Sequence, residues 1–513
     1  MFRSSSPVTA GGFFDRTDEL ALIAEAFEAL TLGAPRWLAV VGPRKVGKTS
    51  LLLEAARRAP ASVDVAVLDV FERTPFDLEI FRRLAARALD AVLAEEVGAS
   101  LSRRLHVPDE YRALLHESAS LRGVDAALRT DLDRLAEEKA SPDAARRWLD
   151  LPEQLCRATD RRLVVAIDEV QELSALSRRG FEPFALMRAV WQRHERVGYV
   201  ISGSEPTMLR RLVTARDSPF FQHFHLFELG PFARADAVSF LVEASPSDRR
   251  IGRTLAERVV DIVGGHPFYL ALFGEALTSE LPPYDETTLK PATQGLIFSR
   301  TGRLSLYFDN EYARLVGKAS TAASTLAAIA EHGPTRLTDI AKTIGSSTAS
   351  TARYVERLGD ALVRDDDGLY RVADPLFGTW IRWRAPGGTV VPMSIVGDEA
   401  ELAVARELSG LGFDLVYQSR ASRGAFDLLA LRGSDQLGVQ VKRSKLPLRF
   451  GKRDFGRMVA DAERWGWQWV AASVDERGEV RFLDPNQARR GREIRLGGDA
   501  AIENLLAWID ERS

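Results

Sequence analysis

Eight consecutive residues, Gly42-Pro43-Arg44-Lys45-Val46-Gly47-Lys48-Thr49, have the types and spacing to hold a polyphosphate. They satisfy GxxxxGK(S/T), with an apolar strand-like run before them and a helical pattern from Ser50 onward. Glycines let backbone N–H groups curl round phosphates, and the N-terminus of the following helix adds a favourable dipole. Lys48 would reach the β- and γ-phosphates, and the Thr49 hydroxyl would sit on Mg2+. A second stretch supplies the other half of such a site. Leu163–Ile167 is an apolar run ending in Asp168-Glu169. Asp168 would hold Mg2+ through water, and Glu169 would polarise the attacking water as general base. Together the two segments predict ATP as cofactor, contacted by Gly42 through Ser50 and by Asp168.

These side chains need a scaffold. Apolar runs at Trp37–Val41, Val63–Val70, Leu163–Ile167 and Tyr199–Ser202 alternate with amphipathic helical patterns, which predicts an α/β fold with a parallel sheet in the first 300 residues or so. Residues of about 76–160, rich in Ala, Leu and Arg, read as a helical insertion beside the sheet. Residues 310–384 read as short helices followed by two strands. The stretch 385–394, APGGTVVPMS, reads as a linker, and 395–513 returns to helix–strand–strand–helix–strand order.

Composition narrows the function classes. The chain has 513 residues, enough for about three domains. Its 45% hydrophobic and 27% charged residues are ordinary globular usage and argue against global disorder. With 69 basic against 72 acidic residues, any nucleic-acid surface must be a local patch. One cysteine, Cys156, excludes an intramolecular disulfide and a thiolate cluster, and no HExxH pairing points to a zinc protease. The opening MFRSSSPVTAGG lacks an apolar h-region, and no uncharged apolar stretch approaches 18 residues. A soluble, cytoplasmic protein with no membrane partner is expected.

Phe14-Asp15-Arg16-Thr17-Asp18-Glu19-Leu20 resembles the F-x-G-R-x-x-E-L box that precedes the phosphate loop in archaeal-type AAA+ ATPases, relatives of the initiator-like and signalling (STAND) NTPases. Ile167-Asp168-Glu169-Val170-Gln171 is similar to that family's second nucleotide motif. Val200-Ile201-Ser202-Gly203-Ser204 resembles its sensor-1 strand, and Gly264-Gly265-His266-Pro267 resembles the G-x-P motif of its helical lid. The resemblance implies an AAA+ module over 13–305 with a lid over about 231–305, Arg16 near the base, Ser202 or Ser204 sensing the γ-phosphate, and His266 and Pro267 closing over the nucleotide. It also implies a homo-oligomer. Asp15 departs from the usual glycine. His223 stands where the family carries the arginine of an L-Y-G-R-like sequence, which leaves Arg210, Arg211 and Arg216 as substitutes.

The order of elements over 310–384 resembles a winged helix, which would offer Ser347, Thr348, Arg353 and Arg357 to a major groove. Three aspartates, Asp365 to Asp367, at the wing tip would repel phosphate, so an interdomain spacer role stays open beside DNA reading. Asp374-Pro375-Leu376-Phe377 with Trp380 is similar to the D-P-x-F-x-x-W segment closing this domain in the same ATPase family. The block 395–513 resembles the PD-(D/E)XK nuclease fold, whose Mrr-like branch carries Q-x-K as Gln440-Val441-Lys442 does here. Asp427 and Gln440, on adjacent strands, would present oxygen ligands to Mg2+ or Mn2+, with Glu401 adding a helix-borne carboxylate and Lys442 orienting the water. Gln440 brings less charge to a cation than glutamate would. Arg443, Lys445, Arg449, Lys452 and Arg453, with Arg420 and Arg423, form the strongly basic local patch, expected to meet a phosphate backbone. Trp465, Trp467 and Trp469 alternate as in a half-buried strand and are expected to pack rather than stack on bases. The leading expectation is an ATP-binding and ATP-hydrolysing AAA+ protein whose nucleotide state gates a metal-dependent nuclease acting on nucleic acid, with DNA as the favoured polymer. A nucleotide-dependent signalling switch, or a DNA loader, with a non-catalytic C-terminal binding module competes with it.

Overall fold

The computed structural model describes residues 2–72, 77–98, 100–299, 301–317, 320–383, 389–391, 399–411, 413, 415–420, 426–432, 435–465 and 467–512. Two compact units emerge: Met1–Ala244 with Gly265–Ala271, and Ser245–Gly264 with Leu272–Ser513. Among the described residues, no helix is long and apolar enough to cross a membrane.

The first unit is built on five parallel strands, β1 (Trp37–Val41), β2 (Asp64–Asp69), β3 (Leu163–Asp168), β4 (Val197–Gly203) and β5 (Phe224–Glu228), in the order β2-β3-β4-β1-β5. Strands β1, β3 and β4 are buried along their whole length, as both-face coverage of a parallel sheet requires. Their side chains alternate between two cores. Leu38, Val40, Val164 and Ala166 meet Ile23, Phe27 and Leu30 of helix α1 (Thr17–Thr31) and Leu51 and Leu52 of helix α2 (Lys48–Arg57). Trp37, Ala39, Val41, Val165 and Ile167 face the opposite side. There they join Leu84, Leu89 and Leu93 of helix α3 (Glu79–Val97) and Trp148, Leu149 and Leu155 of the helix Pro142–Thr159. Each fully buried valine, leucine, isoleucine or phenylalanine among them contributes about 1.5–3 kcal/mol.

The helices between β2 and β3, in the stretch expected as an insertion beside the sheet, form one wall of the main core, because their apolar stripes cover the sheet face that α1 and α2 leave open. Cys156 lies in this wall, buried, with its thiol pushed up by desolvation. The segment 231–305, expected as a lid, is divided between the two units. Residues 265–271 belong with the first unit and 245–264 with the second.

In the second unit, helices Ser320–His332, Leu337–Thr343 and Thr348–Leu358 precede an antiparallel pair, β6 (Leu362–Arg364) and β7 (Tyr370–Val372). Ser347 caps the third helix by accepting from Ser350 N at 3.2 Å. Asp365 accepts from Leu369 N at 2.7 Å, so one of the three wing-tip aspartates builds the turn itself. Asp374 caps the helix Pro375–Trp383, whose Phe377 and Trp380 pack with Phe308.

Strands β8 (Thr389–Val391), β9 (Leu415–Arg420), β10 (Leu428–Arg432), β11 (Asp435–Lys442), β13 (Gln468–Val474) and β14 (Val480–Leu483) form a mixed sheet in the order β14-β13-β11-β10-β9-β8. A smaller sheet joins β12 (Leu448–Phe450), β16 (Ile494–Leu496) and β15 (Arg489–Arg490). Thr389–Val391, read from sequence as part of a linker, is an edge strand pairing Thr389 with Arg420. The flanking prolines and glycines dominate the local composition, but the β-branched Thr-Val-Val run between them is strand-competent. Most of 385–394 otherwise lies outside the described residues. The helix Glu399–Gly410 lays Ala400, Val404, Ala405 and Leu408 against Leu428, Val439 and Val470.

Candidate functional site

The C-terminal ends of β1, β3 and β4 lie side by side in register, Val41 beside Gly203 and Ile167 beside Ile201. Three chemically active segments therefore leave the sheet at one edge, where ligands of open parallel sheets bind. After β1 the loop turns on Lys45 and Gly47, with φ +61° and +107°. Gly42 is sterically required: a Cβ there would sit 2.3 Å from the Leu229 carbonyl oxygen. Lys48, at the start of α2, is buried and folds back to donate to the carbonyls of Gly42 at 2.9 Å and Pro43 at 3.0 Å. Desolvation lowers its pKa, against the opposing pull of Glu169 and Asp168. A cation held over its own loop's carbonyls is poised to exchange them for phosphate oxygens.

Asp168, at the end of β3, is the hub. One carboxylate oxygen accepts from the Thr49 hydroxyl and the other from the Ser202 hydroxyl of β4. Phosphate loop, second motif and sensor strand are thus joined through one buried side chain. This oxygen-rich set, a threonine hydroxyl beside a carboxylate, suits Mg2+. Glu169 has φ +55°, a left-handed conformation rare outside glycine. Its carboxylate accepts from Gln171 Nε2 at 2.5 Å and from the Ser204 hydroxyl and amide at 2.7 and 3.2 Å. The general-base candidate is therefore held by two partners, and Ser204 touches Glu169 while Ser202 touches Asp168.

Arg16 is buried, donates to Gly230 O at 2.7 Å and Val46 O at 3.4 Å, and lies 4.6 Å over the Phe232 ring. Glu19 neutralises it at 3.2 Å. It ties α1 to the phosphate loop. Lys45 lies 4.8 Å over Phe268, and His266 reaches the Arg44 carbonyl at 3.2 Å while stacking on Tyr269. Pro267 begins the helix Pro267–Ser279. Gly265 leaves no room for a side chain: a Cβ would meet the Phe232 carbonyl oxygen at 2.0 Å. Gly265→Ala should therefore destabilise the chain by about 1–3 kcal/mol, read as a lower melting temperature. An unshifted melt would show that this approach is soft.

Of the arginine-finger substitutes, Arg210 pairs with Glu228, Arg211 lies 3.9 Å from Asp217, and Arg216 is exposed. His223 Nδ1 donates to Phe221 O at 2.8 Å and the ring packs on Trp37, which makes it a structural residue here.

The C-terminal cluster is set by register. Antiparallel pairing of β10 with β11, Leu428 opposite Val439, brings Asp427 against the next residues of β11. Asp427 Oδ2 accepts from Val441 N at 2.7 Å and from the Gln440 side-chain amide. Lys442 is exposed, two residues along the same strand and 5.9 Å over the Phe450 ring. To offer an oxygen to a cation, Gln440 must turn its amide over and release Asp427. Glu401 is half-buried on the helix Glu399–Gly410. Among the described residues, no three His, Cys, Asp or Glu side chains are grouped closely enough to hold a metal ion. Arg443, Lys445, Arg449, Lys452 and Arg453 are exposed. Arg423 lies outside the described residues, as does the side chain of Arg420. Trp469 is buried between Phe426 and Phe455, at 5.7 and 5.3 Å between ring centroids.

A family profile described as an ATPase domain predominantly from Archaea matches residues 13–273, just over half of the chain. The chain belongs to this ATPase family. Among solved structures, the ATPase is similar to a Walker-type ATPase of Pyrococcus abyssi, at 20% identity and a TM-score of 0.52, over 74% of this chain and 99% of that one. That likeness shows the shared fold. The ORC2 protein of Aeropyrum pernix, in ADPNP and ADP complexes, matches at 13% identity and a TM-score of 0.37, over 74% of this chain and 96% of its own. A Holliday junction resolvase from Archaeoglobus fulgidus matches at 22% identity and a TM-score of 0.18, over 20% of this chain and 92% of its own. No curated protein matched the sequence.

Sequence reasoning started the ATPase at residue 13 and missed what precedes it. Val8 N donates to the Ser50 hydroxyl at 3.0 Å, and Ala10 N donates to Glu54 at 2.8 Å. Phe2 packs on Phe240. The segment is thereby tied to α2 at Val8 and Ala10, and Ser50, assigned to the nucleotide, carries one of these hydrogen bonds. Glu54 is fully buried and bound by Arg57 and Arg58, and its Arg57 hydrogen bonds chiefly hold its pKa down to about 2. A depressed carboxylate stabilises the fold above its ordinary value of 4.5 and loses that contribution as pH falls toward about 2. The melting-temperature gap between wild type and Glu54→Gln should accordingly be widest near neutral pH and close between about pH 4.5 and 2. A gap independent of pH would sink this reading.

Proposed function

We propose that the ATPase couples its nucleotide state to metal-dependent cleavage of DNA by the C-terminal block 395–513, with a winged-helix connector over 310–384 and a homo-oligomeric assembly. In the nucleotide site, Gly42 through Ser50 cradle the phosphates, Lys48 meets the β- and γ-phosphates, and Thr49 and Asp168 hold Mg2+. Ser202 and Ser204 report the γ-phosphate to Asp168 and Glu169, to which they already bond. Glu169 orients the attacking water once Ser204 or Gln171 lets go of it. Arg16, His266 and Pro267 close the base side.

The nuclease reading is carried by one observation: register places Asp427 against Gln440, with Lys442 following on the same strand. Asp427 and a turned Gln440, with Glu401 behind, would hold Mg2+ or Mn2+, and Lys442 would orient the water. A bound cation supplies a water of lowered pKa and charge stabilisation at the phosphate. Phosphodiester hydrolysis is downhill, so ATP positions or gates the cut rather than driving it.

A specific observation favours a second reading. The Gln440 side chain donates its amide to Asp427, which suits a non-catalytic binding module under a nucleotide switch. Labelled single- and double-stranded DNA and RNA, incubated with Mg2+ or Mn2+ and with or without ATP, decide between them. Cleavage lost in Lys442→Ala and altered by Lys48→Ala supports the first. Intact ATP turnover with no cleavage of any polymer supports the second.

A further inference from the structure

The small sheet of β12, β16 and β15 carries a row of like charges that the nucleotide and carboxylate sites do not use. Arg449 of β12 pairs directly with Arg495 of β16, which pairs directly with Arg489 of β15. Directly opposed residues point to the same face. That face is outward, because the alternating partners Leu448, Phe450, Ile494 and Leu496 are buried. The three side chains are 61%, 53% and 79% exposed, so they stand in a line across the solvent face of the sheet. Arg490 and Arg492, at the β15–β16 turn, are exposed beside them. Two carboxylates temper the row. Glu493 lies 3.6 Å from Arg449 and 3.9 Å from Arg495, and Asp499 lies 2.7 Å from Arg489.

Like charges directly opposite one another cost stability, by up to about 1 kcal/mol per pair. Two successive arginine pairs are a poor choice for a sheet that only has to fold, and a polyanion laid along the row would reverse the sign of that term. We propose that this face is a docking surface for the phosphate backbone of double-stranded DNA. Adjacent strands lie about 4.8 Å apart, so the row spans roughly 10 Å and can meet successive phosphates. At the β15 edge of this three-stranded sheet the chain turns through Arg490-Gly491-Arg492. The B-form major groove, about 12 Å wide, admits such a hairpin edge, whereas the deep, narrow groove of A-form RNA does not. The inference rests on the nucleic-acid reading of the C-terminal block but not on cleavage.

The test is anisotropy titration of a labelled duplex DNA with the full chain in EDTA, across a series of salt concentrations. Each phosphate contact contributes about 0.9 to the slope of log affinity against log salt. Substituting Arg449→Gln, Arg489→Gln and Arg495→Gln together should flatten that slope by roughly 2.7 and weaken binding more than tenfold at moderate salt. The corresponding triple replacement by lysine should keep most of the slope, which separates lost charge from lost fold. ATP turnover should be unchanged in both. A wild-type slope in the glutamine variant overturns the proposal, as does equally weak binding by the lysine variant. Duplex RNA or polyglutamate bound as tightly as DNA overturns the choice of partner. Salt-dependent binding of the duplex by the wild type with no cleavage would fail the nuclease reading and leave the docking surface standing, so the two failures give different results.

Discussion

Lys48→Ala should lower ATP turnover by about two to three orders of magnitude, with ATP affinity falling alongside. The ammonium is buried at the phosphate loop, where it bonds to the Gly42 and Pro43 carbonyls. Alanine leaves those oxygens facing the nucleotide phosphates with no positive charge between, which disfavours ground state and transition state alike. Glu169→Gln should behave differently. Its amide can keep bonds to Ser204 and Gln171 while losing proton-accepting power, so ATP stays bound and turnover falls by about 10²–10⁴. Nucleotide-binding titration alongside phosphate release distinguishes the two. Ordinary steady-state turnover in both variants would remove Lys48 and Glu169 from the site.

Asp427→Ala and Lys442→Ala should each cut metal-dependent cleavage by about 10²–10³ while leaving ATP turnover intact. Asp427 is the shared acceptor for Gln440 and Val441 N, so its loss removes an anionic oxygen and loosens the start of β10 together. Lys442 is exposed, and its replacement should not move the melting temperature. Gln440→Glu sharpens the test. Two carboxylates in place of a carboxylate–amide pair repel without a cation and bind one more strongly with it. The variant should melt lower in EDTA, regain stability with Mn2+, and cleave better than wild type at limiting metal. Cleavage unaffected by all three changes would place the chemistry elsewhere. No cleavage by wild type or by Gln440→Glu would favour the binding-module reading.

Much of the nucleotide site was legible because local rules dictate it. Gly42 and Gly47 sit where the backbone turns or is approached closely, and β-branched runs lead into the phosphate loop and the Asp168–Glu169 pair. Such features depend on a few neighbouring residues, and spacing along the chain records them. The strand Thr389–Val391 is not legible for the same reason in reverse: flanking prolines and glycines outweigh a short run whose pairing partner lies almost thirty residues away.

By itself the sequence determined the phosphate loop, the acidic end of its partner strand, the strand–helix alternation that holds them, and the Asp427, Gln440 and Lys442 spacing. Only the tertiary structure decided how those groups are partnered. It joined Thr49 and Ser202 through Asp168, held Glu169 on Ser204 and Gln171, and tied Val8 and Ala10 to Ser50 and Glu54 of α2. It packed the helices between β2 and β3 as a wall of the core and aligned Arg449, Arg495 and Arg489 across three strands. Motifs are short because their chemistry is local. Partners are chosen by strand order and register, which depend on how apolar faces far apart in the chain are buried together.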